Sequence, residues 1–355
     1  MNLEIARAAM APAGKTGSPA NEVTQVRASL ESITGRLGAD GGQISGLRRL
    51  SGGASQQTWS FDVTCESAGH PLILRRAAPG AGHRASANVG LETEAALLAH
   101  AAAGAVPVPP VRLVLRPEHR LGDGFVMERI EGETLGKKIV RDERFAEARK
   151  KLAAQCGSAL ARIHAIPVDG LPPLRVAPAD VELAYWLAQH RTYGMLNPVF
   201  ELAFQWLRRH LPTAPLSLVL VHGDFRNGNL IVAEEGLRAV LDWELAHIGD
   251  PMEDLAWICV NSWRFGNREK PVGGFGTREE LYAAYETEGG RVDVDRVRFW
   301  EVLGTLKWGI VCEGMAYGWL TGTERELEKA AIGRRTSEAE IDLLALLTNS
   351  GATAC

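Results

Sequence analysis

The 355-residue chain is poor in the features that mark several large protein classes. Its five cysteines, Cys65, Cys156, Cys259, Cys312 and Cys355, form no Cys-x-x-Cys pair. An odd, scattered set of thiols excludes a disulfide scaffold or a zinc site and reads as reduced cytosolic cysteine. No run approaches the roughly 20 apolar residues needed to cross a bilayer; the longest sheet-like run is residues 216–221. Residues 1–14 carry Glu4 and Arg7 and lack the apolar stretch of a secretory signal. A cytoplasmic protein with no membrane partner is therefore expected. Basic charge is not in excess: 39 Lys+Arg against 43 Asp+Glu leave a net charge of -4, with no footprint for nucleic-acid phosphates. There is also no internal repeat. What remains, 46% hydrophobic and 23% charged residues, is globular composition at a length that fits one large or two modest domains.

Residues 1–45 read as an Ala/Gly/Ser/Thr-rich tail and a docking helix, with Val26, Leu30, Ile33 and Leu37 at near-helical spacing. From Gly46 the period changes. Strand, glycine turn and strand are expected over residues 47–63, and a third strand over 71–76. A helix over 91–101 ends before Pro107, and strands follow at 111–115 and 124–127. The expected order through residues 46–130 is thus β-β-β-α-β-β. Residues 131–355 read as mainly helical, from the stripe Leu152, Cys156, Leu160 and Ile163 to a terminal helix at 338–347. Their strand-rich island is residues 216–242.

That island concentrates polar groups between strands. An apolar strand delivers His222, Asp224 and Asn229 into one loop, and a hairpin turn at Glu235-Gly236 returns Asp242 beside them. Phosphoryl transfer asks for such a set: one carboxylate to take a hydroxyl proton, and hard oxygen ligands for a Mg²⁺ that bridges nucleotide phosphates. Asp224 fits the base, Asn229 and Asp242 the metal ligands, and His222 a brace for the loop. A metal-dependent phosphoesterase using His222, Asp224, Asp242 and His247 is a competing reading, although their spacing lacks the paired clusters of a two-metal hydrolase.

The pattern His222-Gly-Asp-x-x-x-x-Asn229, the following Asp242 and the segment Gly249-Asp-Pro-Met-Glu-Asp-Leu-Ala together resemble the aminoglycoside phosphotransferase family of small-molecule kinases, over residues 46–346. The resemblance implies an α+β, bilobal protein-kinase-like fold: a small β-rich N-lobe with one main helix, and a larger, mainly helical C-lobe. It implies ATP and Mg²⁺ as cofactors and a small-molecule hydroxyl acceptor. Asp254 would hold the catalytic loop by hydrogen bonds. Gly52, Gly53 and Ser55 would line the nucleotide loop, and backbone groups of Glu128, Arg129 and Ile130 would contact adenine. Where kinases of this architecture place a lysine on the third strand, this chain has Arg75 and Arg76. Arg75 aligns best with that phosphate-clamping cation, with Glu94 as its partner and Arg76 and Glu92 as competitors; an arginine fork is not equivalent to lysine there.

Eight of the nine tryptophans follow residue 185. Most are expected in the core, with Trp263 and Arg264 as first choices for acceptor contacts. Residues 261–330 hold twelve Asp/Glu against ten Lys/Arg, a near balance that does not suit a polycationic aminoglycoside. Leu74-Arg-Arg, Trp263-Arg-Phe-Gly, Phe299-Trp-Glu-Val and Glu340-Ile-Asp-Leu-Leu look like the branch related to the kinase-like domain associated with acyl-CoA dehydrogenases. That likeness implies a hydroxyacyl-CoA or hydroxy acid as acceptor. The alternatives are an aminoglycoside or other hydroxyl compound, and a catalytically silent nucleotide-binding module.

Overall fold

The computed structural model describes residues 19–38, 40–50, 56–65, 68–78, 88–213 and 217–348. The chain divides into two compact units, Met1–His83 with Val111–Arg129, and Arg84–Pro110 with Ile130–Cys355.

In the first unit, β1 (Gln43–Arg49), β2 (Gln56–Cys65), β3 (Ala68–Ala77), β4 (Val111–Val114) and β5 (Gly124–Glu128) form an antiparallel sheet in the order β1-β2-β3-β5-β4. Period-two alternation brings Trp59, Phe61 and Val63 of β2 and Leu72 and Leu74 of β3 into one apolar cluster. Against it pack Val26 and Leu30 of helix α1 (Pro19–Glu31), with Ile33 and Leu37 beyond it. The docking helix of the sequence is therefore present, but it stops at Glu31, and a tighter turn over Thr34–Leu37 delivers Leu37. Full burial of each such side chain is worth about 1.5–3 kcal/mol, which offsets the ordering of this segment.

Alternation also separates the two competing arginines. Arg76 follows Leu72 and Leu74 in the period-two series and is buried, donating to Glu22 Oε1 of α1 (2.9 Å) and Gln57 Oε1 (2.8 Å). Arg75 falls in the opposite series, and its Nη2 donates to Gln56 Oε1 (2.7 Å).

The second unit carries α2 (Leu91–Ala103), α3 (Gly136–Arg141) and the long α4 (Ala146–His164), whose Leu152, Cys156, Leu160 and Ile163 are all buried as their spacing requires. A three-stranded sheet, in the order β6-β10-β7, joins β6 (Val176–Ala177), β7 (Val219–Val221) and β10 (His247–Gly249). Between β7 and β10 lies the hairpin of β8 (Leu230–Ala233) and β9 (Gly236–Val240). The remaining helices are α5 (Ala179–Tyr193), α6 (Pro198–Arg209), α7 (Met252–Trp257), α8 (Arg278–Thr287), α9 (Val294–Thr321), α10 (Leu327–Gly333) and α11 (Thr336–Thr348). α9 is buried along most of its length and touches α5, α6, α7, α10 and α11, so it forms the spine of this unit.

Among the described residues no helix is long and apolar enough to cross a membrane. Cys156, Cys259 and Cys312 are buried free thiols and Cys65 is a half-buried one; burial pushes Cys259 up to about 12, which leaves it inert.

Candidate active site

β7 ends at Val221 and passes the chain into a polar loop that the β8–β9 hairpin closes. The antiparallel register pairs Val221 with His247, so β10 directs the following segment into α7 beneath that loop. Asp254 of α7 is fully buried, and its carboxylate accepts from the backbone amides of His222 (2.8 Å, Oδ2) and Gly223 (3.0 Å, Oδ1). Gly223 sits at φ 78°, and a Cβ there would stand 2.5 Å from the carbonyl oxygen of Leu245. Only glycine gives Asp254 both amides at this turn.

The bracing extends further on both sides. His164 Nε2 lies 3.1 Å from Asp254 Oδ2, and its Nδ1 lies 2.8 Å from the Tyr285 hydroxyl. Burial alone would raise the Asp254 carboxyl, but the hydrogen bond and charge of His164, with His222 and its amide, hold it below the usual carboxylate value. His222 is placed as the sequence suggested. Its Nε2 donates to the Leu241 carbonyl (3.1 Å) and its Nδ1 accepts from the Asp224 amide (3.2 Å). Burial lowers its pKa, against the raising influence of Asp254, Asp224 and Asp242, and the neutral ring fits both bonds.

The Asp224 carboxylate is held by three donors. Asn229 Nδ2 reaches Oδ2 at 2.6 Å, Trp257 Nε1 reaches Oδ1 at 2.7 Å, and Arg226 Nε lies 3.0 and 3.1 Å from the two oxygens. Since the Asn229 amide nitrogen also donates to the Asp224 carbonyl (3.0 Å), its oxygen is the atom left to face a cation. Leu241 N donates to Asn229 O (2.8 Å), which brings the next residue, Asp242, to the same place. Asp242 adopts a left-handed backbone (φ 66°), uncommon for a residue other than glycine and of the kind found at functional sites. Asn and Asp oxygens are hard donors that suit Mg²⁺, which binds through one or two protein groups while phosphates and water complete its shell.

Three of these contacts were not read from the sequence. Trp257 lies one helical turn after Asp254, a spacing that could have indicated a shared environment. Arg226 sits inside the motif itself. Lys307 of α9 offered no local signal, yet it is buried with Nζ 3.2 Å from the Gly223 carbonyl, 3.7 Å from Glu253 and 4.5 Å from the centre of the Trp257 ring.

Trp263 and Arg264 differ from expectation. Trp263 is buried between Trp257 (5.2 Å between ring centres) and Trp308 (4.9 Å), and the Arg226 guanidinium lies 4.6 Å from its ring centre. It therefore supports Arg226 instead of lining an open pocket. Arg264 is committed to the protein: Nε and Nη2 donate to the Cys259 carbonyl (3.1 and 2.5 Å), and Nη2 lies 3.2 Å from Glu301. A guanidinium so engaged has no fork to offer an anion.

The remaining expected residues fall as follows. Glu94 is buried on α2, with Glu92 exposed beside it. Glu128 pairs with Arg112, and Arg129 pairs with Asp62 (2.9 Å) and Ser60 Oγ (3.0 Å), its amide donating to Pro71 O (3.0 Å). These side chains are turned to their own sheet. Ile130 opens the second stretch of the larger unit. Gly52, Gly53 and Ser55, like residues 1–18 of the tail, lie outside the described residues. His247, proposed for a hydrolytic metal pair, is buried against Glu253 (3.1 Å). No group of three or more His, Cys, Asp and Glu that could hold a metal occurs among the described residues.

A carboxylate in a pinned loop, an asparagine and an aspartate beside it, and a β-rich unit next in the chain define a kinase-like phosphotransferase. The sequence model of the phosphotransferase enzyme family matches residues 46–299, and the chain belongs to that family. It is 31% identical over 169 residues to acyl-CoA dehydrogenase family member 10 of Mus musculus, covering 44% of this chain and 16% of that protein. It is 26% identical over 235 residues to acyl-CoA dehydrogenase family member 11 of Pongo abelii, covering 61% and 30%. The chain thus matches less than a third of the length of these relatives.

Among solved structures, a Ralstonia eutropha protein described as an aminoglycoside phosphotransferase superposes with a TM-score of 0.72 at 21% identity, over 92% of this chain and 99% of that one. A thermostable mutant of an aminoglycoside phosphotransferase, in ternary complex with ADP and hygromycin B, superposes with a TM-score of 0.57 at 17% identity, over 91% and 99%. The α+β, bilobal protein-kinase-like fold expected from the sequence is the fold of the chain.

Proposed function

We propose that the protein is a Mg²⁺-dependent, ATP-using O-phosphotransferase whose acceptor is a hydroxyacyl-CoA or a hydroxy acid. The observation that carries the reading is the Asp224 carboxylate, pinned by Asn229, Trp257 and Arg226 on a loop that Asp254 anchors. Asp224 takes the proton of the acceptor hydroxyl as its oxygen attacks the terminal phosphorus of the nucleotide. Asn229 and Asp242 hold the cation. When bound, Mg²⁺ bridges the phosphate oxygens and neutralises the charge that develops on them. Arg75 clamps phosphate from β3, and Arg226 lies close enough to Asp224 to turn its fork toward the transferred group. His222 and Asp254 act through the loop, fixing the direction in which Asp224 points.

The acceptor class is supported by the partial likeness to acyl-CoA dehydrogenase family members and by the charge balance of residues 261–330. The test is mass spectrometry after incubation with Mg-ATP and a panel of hydroxyacyl-CoA thioesters, free hydroxy acids and aminoglycosides, with Asp224→Asn as control. A phosphoryl group gained by the first two classes and absent in the control is the expected outcome. Transfer to aminoglycosides alone would overturn the acceptor class, and equal transfer by the control would overturn the base.

A further inference from the structure

A groove between α5 and α9 has been given no role so far. Trp186, Gln189 and Tyr193 share one face of α5 at spacings of three and four, and Lys307, Val311 and Gly314 share one face of α9 in the same way. Between these faces lies a cavity of about 280 Å³, lined by Tyr185, Trp186, Gln189, Tyr193, Gly314 and Lys329.

The groove is continuous with the candidate active site. Lys307 Nζ lies 5.8 Å from the centre of the Trp186 ring and 4.5 Å from that of Trp257. Trp257 in turn donates to Asp224 (2.7 Å). One tryptophan therefore separates the inner end of the groove from the base.

The charges along it are already matched within the protein. Glu324 is paired with Lys329, and Glu182 accepts from Trp186 Nε1 (3.0 Å) and pairs with Arg175. Lys307 is held by Gly223 and Glu253. A polycation would find no uncompensated carboxylate here, and aromatic walls favour an apolar guest. Neither the Gln189 amide nor the Tyr193 hydroxyl bonds another described residue, which leaves two weak polar handles. The volume sits just below the roughly 300–1,000 Å³ of ordinary small-molecule pockets, a fit for a chain rather than a multi-ring sugar.

We propose that this groove receives the uncharged hydrocarbon body of the acceptor, so that its hydroxyl is presented to Asp224. The proposal rests on the phosphotransfer reading for the direction of the hydroxyl, but the affinity of the groove does not depend on turnover. Gly314 makes it possible, because a Cβ there would stand 2.6 Å from the Tyr193 hydroxyl oxygen. Any larger side chain forces that ring to move and narrows the groove.

The experiment is calorimetric titration of the protein with straight-chain 1-alkanols from ethanol to octanol, without nucleotide, followed by Mg-ATP and mass spectrometry of the alkanol. Affinity is expected to rise about fourfold for each methylene buried. The rise is lost in Gly314→Val and Trp186→Ala and restored in Trp186→Phe, with thermal unfolding followed to establish that each variant is folded. Hygromycin B is expected not to displace octanol. An affinity independent of chain length, a slope unchanged in the folded variants, or displacement by hygromycin B would overturn the groove as the acceptor channel. Chain-length-dependent binding without phosphorylation of any alkanol keeps the groove and counts against phosphotransfer to this class. Phosphorylation without chain-length dependence does the reverse.

Discussion

At the scale of single residues, Asp224 and Arg264 show how a side chain's partners decide its role. Asp224 is oriented by N–H donors yet keeps part of its surface open, whereas Arg264 is a bolt between the Cys259 carbonyl and Glu301. Trp257→Phe removes one donor from Asp224 while keeping the ring in place; the turnover number should fall by about tenfold, the equivalent of one hydrogen bond, with the KM for ATP unchanged. Steady-state kinetics at saturating acceptor checks this. Arg264→Met should instead lower unfolding free energy by about 1–3 kcal/mol, since Glu301 keeps Arg278 (2.7 Å) as a partner but loses one donor. Denaturant titration measures that loss, and an unchanged kcat/KM would agree with a structural role. The roles of Asp224 and Asn229 could be read from their spacing because the motif is local. Those of Trp257 and Lys307 could not, because α7 and α9 reach the loop only through tertiary packing.

At the scale of elements, α1 and the loop after β7 are the informative pieces. Leu30 is fully buried between α1 and the sheet, so Leu30→Ala should cost about 2–5 kcal/mol by urea unfolding. Gly223→Ala meets both a left-handed backbone and the Leu245 carbonyl. It should weaken the two amide bonds to Asp254, depressing stability and turnover together, unlike Trp257→Phe. Circular dichroism melts run beside the kinetics separate the two cases. The elements themselves were largely legible: α2, α4, α11 and the five strands of the first sheet follow the apolar periods. The end of α1 at Glu31 was not, because a 3₁₀ turn keeps apolar residues pointing inward with different spacing.

At the scale of the whole molecule, buried histidines set the response to pH. Burial lowers His222 below its ordinary value of 6.5, so the unfolded chain takes up its proton first and stability is lost as pH falls below about 6.5. His247 is raised: burial opposes its charge, but the carboxylate of Glu253, 3.1 Å away, outweighs it. Its contribution is fully present below 6.5 and is lost as pH rises through the folded value. Together the two place a stability maximum near pH 6.5. Each limb is bounded by about 1.4 kcal/mol per pH unit for one proton. Urea unfolding from pH 5 to 8 should show the dome, and His222→Gln should flatten its acid side.

Local chemistry in the sequence determined the strand and helix periods, the loop that joins His222, Asp224 and Asn229, and the family, because these depend on residues close together in the chain. Tertiary structure decided which arginine of β3 turns to α1, which tryptophan touches the base, and that Trp263 and Arg264 are internal supports. Those outcomes depend on which faces of distant elements meet, and packing rather than spacing sets that.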